Sequence, residues 1–235
     1  RGLGDVYKRQ LPTSLAVVQI RQGQPSYGFY REGIADRDYT VDAVLRRLEG
    51  QPPGILHTGS LLLVPPEHHK ILEVLRGAKA LGWTLSVDVN LRPKLAADLA
   101  TYVRAVQDVA RHADWLKASD EDLTLLGFDS PRREHGAAIA ARFAAQGTQR
   151  IALTFGGEGA WLSVDGHAAQ ADVPPTQVVD TVGAGDTFWG NCLGDWALHP
   201  EYAGQRVAQT LQQAMLAAAC VTLCPVAQAQ SLSQE

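Results

Sequence analysis

From Ile55 to Phe155 the chain repeats one pattern: a short apolar run, a polar or glycine-containing loop, then a longer stretch with helical spacing. The runs Ile55–His57, Thr84–Val89, Trp115–Lys117 and Arg150–Phe155 are too short for helices and read as strands. Pro66–Leu81, Ala97–His112 and the segments after Ser119 and Ser130 read as helices between them. Strands separated by helices need crossover connections, so the fold class is α/β, a doubly wound and mostly parallel sheet with helices on both faces. In such sheets ligands bind at the carboxyl ends of the strands, and the polar clusters of this chain fall there.

The flanks differ. Ser14–Ile20 and Ser26–Arg31 are β-rich runs joined by the turn-like Arg21–Pro25, which predicts an antiparallel hairpin appended to the sheet at about 14–31. A short helix is expected near Val41–Leu48. Gly159–Gly166 and Ala168–Val173 predict a second hairpin around Asp165-Gly166, and two long helices close the chain. Arg1–Gln10 has no helix or strand period and does not lead into the pattern that follows; residues 1–11 are expected to be non-native or disordered, and 12–235 to form one partial domain.

Composition narrows the partners. A net charge of −4 with 20% charged residues gives no electrostatic reason to expect nucleic acid or an anionic membrane. The apolar run Ala214–Ala227 is shorter than the roughly 20 residues of a membrane span and reads as a buried helix. Three cysteines, Cys192, Cys220 and Cys224, fit a reducing compartment, so a cytoplasmic location is expected. Cys220 and Cys224, four apart on that helix with no second ligand pair, read as core rather than metal ligands, and His68-His69 as surface.

The stretch with the most chemistry is Asp180–Phe188, DTVGAGDTF, where a glycine-rich turn meets the start of an apolar helical run. A helix start exposes backbone N–H groups without intrahelical partners and carries about half a positive charge, which suits an anion. Gly183 and Gly185 let the backbone come close to a phosphate, and Asp186 stands beside that cradle as a potential general base. An Asp in a first helical turn is ordinarily a cap, but two glycines bracketing an alanine exceed what a cap requires. Neither GxxxxGK[ST] nor GxGxxG is completed anywhere, which argues against a P-loop or dinucleotide site.

DTVGAGDTF resembles the C-terminal signature of the PfkB, or ribokinase-like, carbohydrate kinases. The resemblance implies an anion hole made by Gly183, Ala184 and Gly185, with Asp186 as base toward a sugar hydroxyl. Thr154–Gly159, TFGGEG, resembles the TxGxxG loop along the nucleotide, which implies cofactor contacts from Thr154, Gly156 and Gly159. DWLKASDEDL at Asp114–Leu123 resembles the segment that carries an NxxE pair near magnesium and phosphates. Here Ser119 and Asp122 stand in place of Asn and Glu, with Lys117 a candidate for phosphate charge, so Lys117 and Ser119 are assigned to the nucleotide and Asp122 to the metal. Asp88–Pro93, DVNLRP, resembles the DxNxR segment of fructokinases and 2-keto-3-deoxygluconate kinases, and Phe29–Arg31 a lid segment whose Arg reaches the sugar; Asn90, Arg92 and Arg31 become sugar contacts.

The resemblance implies phosphorylation of a sugar hydroxyl by ATP with Mg2+, fructose first, and it admits a monovalent cation and a homodimer formed through the lid of the complete protein. Rivals are a 2-keto-3-deoxygluconate, nucleoside or other sugar kinase, and a non-catalytic nucleotide- or sugar-binding descendant. The match runs from about Pro12 onward with no counterpart of the family's first strand and sugar-binding Asp, so an N-terminally truncated kinase with little activity of its own is expected.

Overall fold

The computed structural model describes residues 11–21, 24–30 and 33–223. β1 (Leu15–Arg21) and β2 (Gln24–Tyr30) pair antiparallel as a two-stranded sheet, with Leu15 opposite Tyr30. The predicted hairpin is therefore present; Arg31 lies outside the described residues. α1 (Val41–Glu49) follows, its start capped by Thr40, whose Oγ1 accepts the N–H of Ala43 at 3.2 Å.

The main sheet has six strands in chain order: β3 (Ile55–Gly59), β4 (Thr84–Asp88), β5 (Trp115–Ser119), β6 (Arg150–Thr154), β7 (Ala160–Val164) and β8 (His167–Ala171). The first four are mutually parallel, joined through α2 (His68–Ala80), α3 (Leu99–Ala110), and the pair α4 (Asp120–Leu125) and α5 (Gly136–Ala144). β7 and β8 run antiparallel, and their turn at Asp165-Gly166 has positive φ at both residues, 50° and 85°, the backbone a tight hairpin requires. α6 (Ala184–Leu198) and α7 (Val207–Val221) complete the order.

Strand side chains alternate between the two faces. Val87, Leu116, Ala118, Ile151 and Leu153 join one core with α2, α3 and α5; Trp115, Ala152, Leu162 and Val164 join the other with α6 and α7. Helices thus cover both faces, but the second layer comes from helices that follow the last strand rather than from crossovers. Trp196 of α6 meets Trp115 of β5 edge to face at 5.3 Å and its helix neighbour Trp189 at 5.4 Å, with the Arg150 guanidinium 4.7 Å from the Trp115 ring. On that same face the alternation places Ser86, Asp88 and Lys117, polar residues under the beginning of α6.

Two surface-and-core expectations are corrected. His68 is buried, because it shares a helical stripe with Ile71, Leu72 and Leu75, three, four and seven positions on. Cys220 is exposed: the buried stripe of α7 runs Val207, Leu211, Ala214, Met215, and Cys220 lies off it. Cys224 lies outside the described residues. Among the described residues no helix is long and apolar enough to cross a membrane.

Candidate active site

The predicted anion cradle is the beginning of a fifteen-residue helix. Asp180 Oδ1 accepts the N–H of Val182 at 2.9 Å, and Gly183, at φ +82°, turns the chain into α6 through the left-handed region that glycine enters without strain. The Ala184 N–H donates to the Thr181 carbonyl at 3.2 Å and that of Thr187 to Gly183 at 2.8 Å. Those of Gly183, Gly185 and Asp186 have no acceptor among the described residues. The donors left for a ligand therefore differ by one from the expected set: Asp186 supplies an N–H and Ala184 does not. The Asp186 side chain is exposed.

This helix start opens on a cavity of about 430 Å3 at the carboxyl ends of β5 and β6. The predicted nucleotide residues Ser119, Thr154, Gly156 and Gly159 line it together with Ala184 and Gly185. Val178, Phe188, Met215 and Ala218 supply an apolar wall that periodicity alone did not mark as a site. The loop after β6 is tied down: Phe155 N–H donates to the Gly159 carbonyl at 2.9 Å, and Glu158 pairs with Arg132 at 3.1 Å. Gly159 has φ +99°, and a Cβ there would come within 2.0 Å of the Ala171 carbonyl oxygen, so only glycine fits.

Lys117 does not line this cavity. It is 5% exposed, and its Nζ donates to both oxygens of Asp88 at 2.9 Å, the residue opposite it in the β4–β5 register. Burial pushes the Asp88 carboxyl above the usual carboxylate range, against the opposing pull of Lys117. One strand further out, His57 Nδ1 lies 2.9 Å from Ser86 Oγ; burial lowers the pKa of this imidazole, with Asp88, Lys117 and Asp186 within electrostatic reach. Asp88 and His57 are the site-floor residues that sequence reasoning passed over. Asp88 ends β4 opposite Gly59, while His57 sits two residues before the end of β3 opposite Ser86, so strand pairing rather than sequence spacing brings the two near each other.

Asp122 is buried, and both its oxygens are engaged. Oδ2 accepts from the N–H and Oγ of Ser119, each at 2.9 Å, in a capping box that starts α4; Oδ1 accepts the N–H of Leu91 at 2.7 Å. Its carboxylate holds two loops together and does not fit as an exposed metal ligand. Among the described residues no group of three or more His, Cys, Asp or Glu is placed to hold a metal. Asn90, at φ +37°, and Arg92 follow β4 on the Asp88 side and do not line the 430 Å3 cavity. The Arg92 backbone N–H donates to the Tyr102 hydroxyl at 3.1 Å.

A mostly parallel α/β sheet, with an unpartnered helix start and glycine loops around one cavity at its strand ends, defines an α/β protein of the kind that holds ligands at its strand ends. The sequence is more particular: the profile of pfkB family carbohydrate kinases matches residues 5–234, and the chain belongs to that family. It is 32% identical to a fructokinase of Rhizobium leguminosarum bv. trifolii over 204 residues, covering 87% of this chain and 61% of that one. It is 31% identical to a 2-dehydro-3-deoxygluconokinase of Bacillus subtilis, covering 75% and 54%. Among solved structures, a fructokinase from Xylella fastidiosa with bound ATP shares the fold at a TM-score of 0.73 and 22% identity, over 92% of this chain and 69% of that one. The chain thus spans about six tenths of the length of that Rhizobium relative.

Proposed function

We propose that the complete protein transfers the γ-phosphoryl group of ATP to a hydroxyl of fructose. The observation that carries this reading is the start of α6, where Gly185 lines a glycine-rich cavity, the N–H groups of Gly185 and Asp186 are without partners among the described residues, and Asp186 next in sequence presents an exposed carboxylate. In phosphoryl transfer the protein mostly positions reactants and neutralises spreading charge, and this is equipment for both. Asp186 accepts the proton of the attacking hydroxyl as its oxygen bonds to phosphorus and the bond to the ADP oxygen breaks. The N–H groups of the turn stabilise the charge on the transferring group. Ser119, Thr154, Gly156 and Gly159 border the nucleotide; Asn90, Arg92 and Arg31 serve the sugar.

Magnesium enters this proposal with the nucleotide. Mg2+ ordinarily keeps several waters and binds through phosphates and one or two carboxylates, and Asp122 is already engaged elsewhere. Fructose as acceptor is supported by the FYR and DVNLR segments and by likeness to the Rhizobium fructokinase. The 2-dehydro-3-deoxygluconokinase of Bacillus makes that sugar acid the second substrate to test. A homodimer formed through the β1–β2 hairpin belongs to the same proposal, supported by the exposed Leu15, Val17 and Tyr30 on it.

The test pairs ADP release from MgATP, over a panel of fructose, glucose, 2-keto-3-deoxygluconate and nucleosides, with calorimetric ATP binding. Turnover highest with fructose is expected. In the complete protein, ATP binding without turnover on any acceptor would favour a non-catalytic descendant, and no ATP binding would remove the kinase reading.

A further inference from the structure

An ion pair buried under a helix start is unusual, because removing two charges from water costs more than their attraction commonly returns, and apolar replacements often stabilise. Asp88 and Lys117 are each 5% exposed. They face each other across β4 and β5, and both bonds of the pair are 2.9 Å. Above them lies Gly185, the second residue of α6: a Cβ built there would stand 3.4 Å from Lys117 Nζ and 3.7 Å from its Cε. Gly185 does not need glycine for its own backbone, since its φ lies outside the positive range. The lysine tip therefore lies directly beneath this turn, at the distance of an ordinary contact with a side chain at 185.

We propose that the Asp88–Lys117 pair is a positioning device for the anion-binding turn. Asp88 holds the ammonium by two hydrogen bonds, the ammonium packs against Gly185, and that contact fixes the N–H groups of Gly185 and Asp186 where phosphate meets them. Lys117 thereby acts through the turn and not by touching the nucleotide. The proposal rests on the reading of the turn as a phosphate cradle, and two measurements separate the failure of one from the failure of the other.

The first compares the affinities of the 235-residue chain for a non-hydrolysable ATP analogue and for adenosine, in the wild type and in Asp88→Asn/Lys117→Met. The double variant leaves no unpaired buried charge, so it keeps its fold. It is expected to hold adenosine within about twofold while binding the ATP analogue about tenfold more weakly, the loss expected when one charge-assisted hydrogen bond is misplaced. An unchanged preference for the analogue would overturn the positioning role alone; equal wild-type affinities for analogue and adenosine would overturn the phosphate reading of the turn and the proposal with it. The second places Gly185→Ala in the wild type and in Asp88→Asn/Lys117→Ala. Alanine is the better helix former, so the substitution should change the unfolding midpoint differently in the two backgrounds, because only with the lysine present does the new methyl meet the ammonium that holds the turn. The same shift in both backgrounds would show that the ammonium does not fix the turn.

Discussion

The Asp122 carboxylate accepts the backbone N–H of Leu91 at 2.7 Å across 31 residues of sequence, joining the loop after β4 to the start of α4. Asp122→Ala would strip that bond and the capping box at once, leaving the buried N–H of Leu91 without its acceptor. A loss of about 3 kcal/mol in unfolding free energy is expected, with Asp122→Asn losing roughly half of it. Urea denaturation measures both, and an unchanged midpoint for Asp122→Ala would show that the two loops are held by something else.

Glycine at 159 is required and glycine at 157 is not. A Cβ at 159 would strike the Ala171 carbonyl from a backbone at φ +99°, whereas one at 157 meets nothing within 4 Å. Gly159→Ala should destabilise by at least about 2 kcal/mol, and Gly157→Ala should stay within about 0.5 kcal/mol of the wild type. Thermal melts of the two variants side by side decide it.

Stability should fall in acid partly through Asp195. Burial pushes its carboxyl up, but hydrogen bonds from Arg206 Nη2 at 2.7 Å and from Thr210 Oγ1 outweigh that and hold it below the usual carboxylate range. A carboxyl whose pKa is lower in the folded state contributes stability that is fully present above its unfolded value, about 3.9, and lost as pH falls through the folded one. Unfolding free energy should therefore drop below about pH 4, and Asp195→Asn should flatten that drop while lowering stability at neutral pH. Equal slopes in acid for variant and wild type would remove Asp195 from the account.

Removing the proposed base should separate binding from chemistry. Asp186 is exposed beside the cavity, and its side chain makes no hydrogen bond or ion pair among the described residues. In the complete protein, Asp186→Ala is expected to keep ATP affinity within a few-fold and to lower kcat by at least about 10². A steady-state series with fructose and MgATP reads this, and an unaltered kcat would take Asp186 out of the mechanism.

Much of the fold was legible because its signals are local. The Asp165-Gly166 turn, the short helix at Val41 and the strand–helix alternation each depend on residues a few positions apart, and all three stand where the pattern put them. Ser119, Thr154, Gly156 and Gly159 were assigned through the family resemblance, and they line one cavity because the carboxyl ends of the parallel neighbours β5 and β6 lie side by side. The partners of charged groups were not reachable. Lys117 reads as a phosphate ligand and proves to be sealed by Asp88, while Asp122 reads as a metal ligand and proves to clamp Leu91. His68 and Cys220 exchange their expected surroundings because apolar content says how much of a helix is buried, and only its rotation against the sheet says which residues are.

The sequence alone determined the α/β alternation, the two hairpins, the glycine turn at 183–185 and membership in a family of carbohydrate kinases. Tertiary structure decided which N–H groups of that turn are left without partners, which side chains wall the cavity beside it, and that a buried ion pair lies beneath it. The division has a physical cause. Backbone preference and hydrophobic period are set by near neighbours in the chain, whereas the register between β4 and β5 and the seating of α6 on the sheet are set by packing between segments tens of residues apart. Those two fix the surroundings of Asp88, Lys117 and Gly185.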